Sequence, residues 1–126
     1  MKSRRILIID EHGFSRVCSA ILESEGYDVE VVNNISNRLK TKIRDNDFGL
    51  IVISYPYGAL LLDEIRKFNI SNIVLSDNID EKLISRLRGF YNSYCMIKPL
   101  DYSKFKSLVK QVMSGDMELQ RGYNIV

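Results

Sequence analysis

The sequence has few of the residues that mark special classes of protein. Its 126 residues include only two Cys, two Pro and seven Gly. The two cysteines, Cys18 and Cys95, are far apart in the chain and match neither a CxxC motif nor the spacing of zinc ligands, so we expect both to be small core residues. Because 45% of the residues are hydrophobic, the composition is that of a globular domain and excludes collagen-like, low-complexity and disordered chains.

Long apolar runs and an excess of one charge are also missing. The most apolar runs, residues 6–9 and 50–53, are far shorter than the roughly 20 residues that span a bilayer. The basic N-terminus is followed by an apolar stretch that ends at once in two acids, which is unlike a signal peptide. We therefore expect a cytoplasmic protein without a membrane segment. A net charge of +2 is too small to indicate binding to nucleic acid.

What the sequence does contain is a regular alternation of short apolar segments and helical patterns. Five segments are predicted strands, and continuous apolar runs such as the first indicate burial on both faces. The first helical pattern ends at Gly26, and Asp101 is the predicted cap of the last helix. The predicted strands are 5–9, 29–32, 48–53, 73–75 and 94–97, and the apolar helix stripes are Phe14, Val17, Cys18, Ile21 and Leu22; Ile35, Leu39 and Ile43; 60–65; Leu83, Ile84 and Leu87; and Phe105, Leu108, Val109, Val112 and Met113.

Five strands alternating with five helices require a parallel sheet covered on both faces, because each crossover carries a helix back over the sheet. The predicted fold class is therefore α/β, a doubly wound (βα)5 sandwich. Residues 1–114 form the predicted domain, and residues 115–126 are a tail or the start of a linker, too short for an effector domain. In such sheets ligands gather beyond the carboxyl ends of the strands, where the strand order reverses.

The ends of the predicted strands carry polar residues in a specific arrangement. They are Asp10 and Glu11 after the ILIIDE opening, then Ser54, Ser76, and Lys98 before Pro99. This set resembles the receiver domain of two-component response regulators, and the resemblance covers nearly the whole chain. It implies a flavodoxin-like five-stranded sheet in the order 2-1-3-4-5. It also implies a cis Lys98-Pro99 peptide bond, against an unconditioned frequency of about 5% for such bonds in folded proteins.

The resemblance also implies a role for each of these positions. In the family, the acidic pair helps to hold Mg²⁺, and an aspartate ending the third strand takes a phosphoryl group from a phosphohistidine. Here Ser54 stands where that aspartate belongs. A carboxylate is already an anion at pH 7, whereas a serine hydroxyl must first lose its proton to a base. We therefore expect no conventional His-to-Asp phosphotransfer, no catalytic residue and no enzyme activity.

The same replacement weakens the expected metal site. Asp10 and Glu11 are a remnant acidic pocket, and we expect Mg²⁺ to bind there weakly or not at all, because the third carboxylate and the phosphoryl oxygens are missing. No other cofactor is expected. Ser76 and Lys98 are the remnant phosphoryl-contact positions. We expect Lys98 to form a structural ion pair with one of the acids, Ser76 to hydrogen-bond locally, and His12 to be a solvated loop residue.

Two further departures from the family pattern concern the loop after the third strand and the fifth strand. Pro56 follows Ser54 by two positions instead of four, and the third helix begins by about Ala59, so the loop is shortened. The family often has a mobile aromatic residue three positions before the strand-five lysine. That position is Cys95, and Tyr94 falls on the opposite face of the strand.

Aromatic residues mark the predicted interaction surface. Tyr91, Tyr94 and Tyr102 cluster around the fourth helix, the fifth strand and the fifth helix, where they form either core packing or an interface. Receiver domains commonly dimerise or dock through this side. The prediction is therefore an atypical receiver domain of bacterial-type signalling that acts mainly through protein contacts, including a homodimer through the helix 4, strand 5, helix 5 face. Neither nucleic acid nor membrane is an expected partner.

A second class of function stays open, namely a small flavodoxin-like cofactor-binding protein or enzyme. Such a protein needs a phosphate-cradling loop after the first strand, rich in Gly, Ser and Thr, so that backbone N–H groups converge on an anion. Here the loop begins with Glu11 directly after Asp10, and these two negative charges would repel an anion, which disfavours this alternative. A flavin spectrum or a retained nucleotide in the purified protein would favour it.

Overall fold

The computed structural model describes residues 3–10, 14–45, 47–114 and 123–126. Strands and helices alternate along the chain, as predicted. The strands are β1 (Arg5–Ile9), β2 (Asp28–Val32), β3 (Leu50–Tyr55), β4 (Asn72–Ser76), β5 (Ser93–Ile97) and β6 (Tyr123–Ile125). The helices are α1 (Phe14–Ser24), α2 (Asn37–Asp45), α3 (Leu62–Lys67), α4 (Glu81–Leu87) and α5 (Tyr102–Ser114), with a 3-10 turn at Ala59–Leu61.

The strands form one parallel sheet in the order β2-β1-β3-β4-β5-β6. The doubly wound α/β class and the order of the first five strands are as predicted, but the predicted count of five strands is wrong. The sixth strand lies in the segment predicted as a tail. It covers the backbone edge that β5 would otherwise leave open, with the Val126 N–H donating to the Cys95 carbonyl at 2.9 Å. Three residues are too few to give a recognisable strand pattern.

The core consists of two apolar layers, one on each face of the sheet. Along β1, Ile6 and Ile8 face one layer and Leu7 and Ile9 face the other, which is the period-two alternation of a strand buried on both faces. Helices α1 and α5 cover the first layer, and α2, α3 and α4 cover the second. This two-sided burial fixes the register of the strands and therefore the positions of the polar residues at their ends.

The predicted stop of α1 and the predicted cap of α5 are both observed. At the end of α1, the Tyr27 N–H donates to the Leu22 carbonyl and the Gly26 N–H to the Glu23 carbonyl, which is the Schellman arrangement. It needs the left-handed φ of +89° that Gly26 adopts. The Asp101 carboxylate accepts a hydrogen bond from a backbone N–H in the first turn of α5, and this confirms it as the cap.

Two apolar residues predicted to be core residues are exposed. Leu60 is 72% exposed because its segment forms a 3-10 turn before α3 and not the helix itself. Val17 is 43% exposed on α1, beside the fully buried Cys18. Among the described residues, no helix combines the length and the apolar character needed to cross a membrane.

Candidate functional site

The carboxyl edge of the sheet brings Asp10 and Ser54 together. β1 and β3 are paired so that Ile9 is opposite Ile53, and the residue after each is therefore at the same level. The Ser54 hydroxyl donates a hydrogen bond to Asp10 Oδ1 with an oxygen–oxygen distance of 2.5 Å. Both side chains are buried, at 2% and 3% exposure. The position that resembles a phosphoacceptor thus carries a hydroxyl whose proton is directed to the neighbouring carboxylate.

Lys98 approaches the same carboxylate from β5. Its Nζ lies 3.5 Å from Asp10 Oδ1, and the predicted ion pair is therefore present, with Asp10 as the partner. The backbone places this lysine, since its N–H donates to the Ser76 carbonyl at 2.9 Å. The Lys98-Pro99 peptide bond is cis, as the resemblance implied. One negative and one positive charge therefore meet at the end of the sheet, and the hydroxyl of Ser54 completes the Asp10–Ser54–Lys98 cluster.

Ser76, the second remnant contact position, uses its hydroxyl locally. Its Oγ donates to the Asn78 carbonyl at 2.6 Å and accepts from the Asn78 N–H at 3.3 Å. This is the local hydrogen bonding expected of a serine at a turn. The side chain is buried, so its hydroxyl serves the turn after β4.

Cys18 is a neighbour of the Asp10–Ser54–Lys98 cluster. The sequence analysis predicted only that this cysteine is a core residue. It is fully buried on α1, and burial together with the negative charge of Asp10 raises the pKa of its thiol to about 12, although Lys98 acts in the opposite direction. The thiol is therefore neutral and unreactive at physiological pH. Cys18 belongs to the inward apolar stripe of α1, opposite the end of β1. This position could have indicated from the sequence that it lies near Asp10.

The backbone groups of the loop after β3 bond to one another, and the third helix begins at Leu62 and not at about Ala59 as predicted, because Ala59–Leu61 forms a 3-10 turn. The Gly58 N–H donates to the Ser54 carbonyl at 2.8 Å, and the Ala59 N–H donates to the Pro56 carbonyl at 3.1 Å. Pro56 has no N–H to offer a ligand. A Cβ on Gly58 would come within 2.5 Å of the Ile53 side chain, so this loop lies tightly against the end of β3. The groups just beyond Ser54 are thus engaged within the loop.

Two of the oxygens described at this edge that could ligate Mg²⁺ are already engaged, whereas the buried Asp10 Oδ2 accepts no hydrogen bond from the described residues. Asp10 Oδ1 accepts a hydrogen bond from Ser54 and forms an ion pair with Lys98. The Pro56 carbonyl accepts a hydrogen bond from the Ala59 N–H. Within the described part of the chain, no group of three or more His, Cys, Asp or Glu side chains could hold a metal ion. The other member of the predicted acidic pair, Glu11, lies outside the described residues, together with His12 and the start of the loop on which the flavodoxin-like alternative depends.

The predicted aromatic interaction surface is only partly at the surface. Tyr94 is 4% exposed and packs in the core layer under α1 and α5, so core packing is the observed one of its two alternatives. Its neighbour Cys95 is buried in the opposite layer, as the strand alternation predicted. Tyr102 is 38% exposed and Tyr91 is partly buried. The exposed apolar residue that the sequence analysis missed here is Ile97, at 50% exposure.

Comparison with known proteins gives matches among solved structures only. No protein-family model matches the chain, and no curated protein matches it significantly. A CheY-like response regulator receiver domain protein from Methanospirillum hungatei JF-1 is similar, with a TM-score of 0.77, 22% identity, and 90% of this chain and 95% of that chain covered.

Two further solved structures are similar over most of their length. The beryllofluoride-activated NtrC4 receiver domain dimer has a TM-score of 0.73 and 22% identity, with 88% of this chain and 97% of that chain covered. The Thermotoga maritima response regulator TrrA, in complex with Mg²⁺ and beryllofluoride, has a TM-score of 0.70 and 21% identity, with 89% and 99% covered. These likenesses show that the chain has the fold of response regulator receiver domains.

Proposed function

We propose that this chain is a receiver-like signalling domain that takes no part in phosphotransfer and acts by binding another protein. The observation that carries the proposal is the Asp10–Ser54–Lys98 cluster. Phosphoryl transfer depends on a positioned nucleophile and on charge neutralisation. Ser54 supplies neither an anionic nucleophile nor a third carboxylate, and its proton is held by Asp10 without a second base in the cluster.

The loop after β3 supports the same proposal. Receiver-like phosphoryl binding needs backbone groups just beyond the acceptor, and small errors of position there are costly. In this chain the Ser54 and Pro56 carbonyls accept hydrogen bonds from within the loop, and Pro56 has no donor. We therefore expect weak binding of Mg²⁺ and no phosphorylated state. Binding, and not catalysis, is the proposed activity.

Incubation with acetyl phosphate and Mg²⁺, followed by intact-mass measurement, tests the proposal. The unmodified chain is expected to show no adduct, and Ser54→Asp to show partial phosphorylation, because the nucleophile returns while the short loop does not change. Ser54→Ala is the matched control, since any adduct that survives it lies at another residue. A labile gain of one phosphoryl group on the unmodified chain that disappears in Ser54→Ala would overturn the proposal.

The proposed docking surface is the α4–β5–α5 face, defined here by Tyr91, Ile97 and Tyr102. Ile97 and Tyr102 are 50% and 38% exposed, and aromatic residues with a polar tip are enriched at protein interfaces. A receiver domain dimer among the similar structures supports a second copy of this chain as the partner. β6 lies at the β5 side of this face and is part of the surface that a partner meets.

Sedimentation velocity over a range of protein concentrations tests this docking surface. We expect a concentration-dependent dimer that Ile97→Glu weakens, because a charge would be buried in an apolar contact. Leu60→Glu is the control, since Leu60 is more exposed than Ile97 but belongs to the turn before α3. A monomer at every concentration, or equal weakening by both variants, would contradict a homodimer through this face.

A further inference from the structure

A groove lined by charged and apolar side chains lies at the opposite edge of the sheet from the Asp10–Ser54–Lys98 cluster. It is a groove of about 260 Å³ between the start of β1, the turn from α1 to β2, and α5. We call it the basic groove and define it by Arg4, Glu25, Tyr27, Lys106 and Lys110. Arg4 precedes β1 and Asp10 follows it, which separates the two sites by about 20 Å at the rise of a strand.

The basic groove carries more positive than negative charge. Lys106 and Lys110 are one turn apart on the same face of α5, and Arg4 faces them. Glu25 is the single carboxylate that lines the groove among the residues that the structure describes. Lys106 Nζ lies 2.8 Å from Glu25 Oε1, and this contact lowers the pKa of the Glu25 carboxyl, with a smaller effect from Lys110. Three cations and one carboxylate leave two positive charges.

Two of the three cations have no acidic partner in the part of the chain that the structure describes. Neither Arg4 nor Lys110 forms an ion pair there, whereas the charge of Lys106 is balanced by Glu25. Arg4 and Lys110 line the same groove from the start of β1 and from α5. An anion bound between them would be attracted by both charges.

Arg4 is held in place before any ligand arrives. Its guanidinium carbon lies 4.7 Å from the centre of the Tyr27 ring, and its Nη2 donates to the Gly26 carbonyl at 3.4 Å. Its backbone carbonyl accepts a hydrogen bond from the Asp28 N–H, at the point where β1 and β2 begin to pair. A guanidinium stacked on an aromatic ring keeps donors along its edge for the oxygens of an anion. The other donors of Arg4 therefore remain available to an oxyanion.

We propose that the basic groove binds the phosphate group of a small phosphate monoester. Such a group carries nearly two negative charges at pH 7, which matches the two cations without an ion pair among the described residues, and its oxygens suit the fork of Arg4 and the point charge of Lys110. The Met113 side chain and the Tyr27 ring give the groove an apolar part for a small organic group. The volume of about 260 Å³ is below the range of drug-sized pockets, so the ligand is small.

The test is a titration of the full chain with inorganic phosphate and, separately, with O-phosphoserine, at constant ionic strength, followed by amide NMR. We expect saturable shifts at Gly26, Tyr27 and Ser114 with both probes. Tighter binding of O-phosphoserine means that the groove also binds the organic part, and equal binding means that free phosphate suffices. Either result supports the groove as a phosphate site.

Charge variants decide whether the shifts report this site. Lys110→Gln is expected to raise the Kd about five-fold, the effect of about 1 kcal/mol for an exposed ionic contact. Lys104→Gln removes the same charge from α5 outside the groove and is expected to leave the Kd unchanged. Arg4→Gln is a second variant, checked by its thermal unfolding. Equal Kd values in the two lysine variants, or the same shifts with chloride alone, would overturn the proposal. Because the site is remote from Ser54, its failure leaves the proposed function standing.

Discussion

Ser54 Oγ and Lys98 Nζ meet on a single oxygen, Asp10 Oδ1, at 2.5 Å and 3.5 Å. A hydroxyl from β3 and an ammonium just after β5 thus converge on one oxygen of a carboxylate that is 2% exposed. Burying a charge is expensive unless it is paired and hydrogen-bonded, and at Oδ1 the cluster supplies both kinds of contact. The cluster therefore joins the ends of β1, β3 and β5.

Ser54→Ala removes the hydroxyl and is expected to lower the free energy of unfolding by about 1–3 kcal/mol. The reason is that Asp10 loses a hydrogen-bond donor while it stays buried. Urea unfolding followed by circular dichroism measures the change. Ser107→Ala, at an exposed position of α5, is the control and should change stability by less than about 0.5 kcal/mol. Equal effects of the two variants would mean that the bond to Asp10 contributes nothing to stability.

Lys98→Gln is expected to destabilise the fold by about 1–3 kcal/mol, since the nearly fully buried Asp10 loses its cation. The lysine is 23% exposed, so water compensates part of the loss. A double-mutant cycle with Asp10→Asn isolates the pair. We expect the double variant to be more stable than the sum of the two single effects implies, because neutral amides leave no unpaired charge. Strict additivity would show that the two residues are not coupled.

Alkaline pH is expected to destabilise the protein through its two buried thiols. The pKa of Cys18 rises from 9.0 to about 12 and that of Cys95 from 9.0 to about 11, in both cases mainly because of burial. Above pH 9.0 the unfolded chain therefore releases protons that the folded chain keeps. Stability due to the neutral thiols is present below pH 9.0 and is lost as the pH rises toward the folded pKa values, by at most about 1.4 kcal/mol per pH unit for each thiol.

Urea unfolding between about pH 8 and pH 10.5 measures this loss. Cys18→Ala is expected to be less stable than the unmodified chain at neutral pH, because it leaves a small cavity. Its stability should nevertheless fall less steeply with pH, since one of the two thiols is gone. Parallel curves for the two proteins would contradict the assignment of the alkaline loss to Cys18.

Much of the fold follows from the sequence because β1 and β3 are continuous apolar runs and α1 has a clear helical stripe with a glycine stop. The predicted range of β1 is the observed one, Arg5–Ile9. The errors have physical causes. Leu60 belongs to an apolar run, but periodicity does not distinguish a 3-10 turn from the first turn of a helix. For Tyr94 the strand alternation indicates only which face of the sheet it lies on, and core packing and an interface stay open until the helices over that face are known.

The candidate site was predictable to a smaller extent. Parallel strands end at one edge, so Asp10, Ser54 and Lys98 could be placed together from strand boundaries alone. Sequence spacing does not determine side-chain and loop geometry. It therefore could not predict which oxygen of Asp10 pairs with Lys98, or that the Pro56 carbonyl accepts a hydrogen bond from the Ala59 N–H. The sequence analysis missed β6 because a strand of three residues has no recognisable apolar pattern. This strand is held by its pairing with β5 and by the packing of Tyr123 against the core.

Tyr123→Ala tests whether β6 is an integral part of the sheet. Loss of the ring from its contact with the core is expected to lower stability by about 1 kcal/mol and to speed hydrogen exchange of the Val126 amide, whose N–H bonds to the Cys95 carbonyl. Ile125→Thr keeps a β-branched residue at a position that is 56% exposed and is the control. Unchanged exchange in Tyr123→Ala would show that the ring does not anchor the strand.

In the proposed function, Ser54 replaces a carboxylate that tight binding of Mg²⁺ beside Asp10 would require. Titration of Mg²⁺ into the unmodified chain and into Ser54→Asp, followed by calorimetry at one ionic strength, tests this role of position 54. We expect weak or undetectable binding to the unmodified chain and clearly tighter binding to Ser54→Asp, because a second carboxylate then stands beside Asp10. Equal affinities in the two proteins would show that position 54 does not belong to a metal pocket with Asp10.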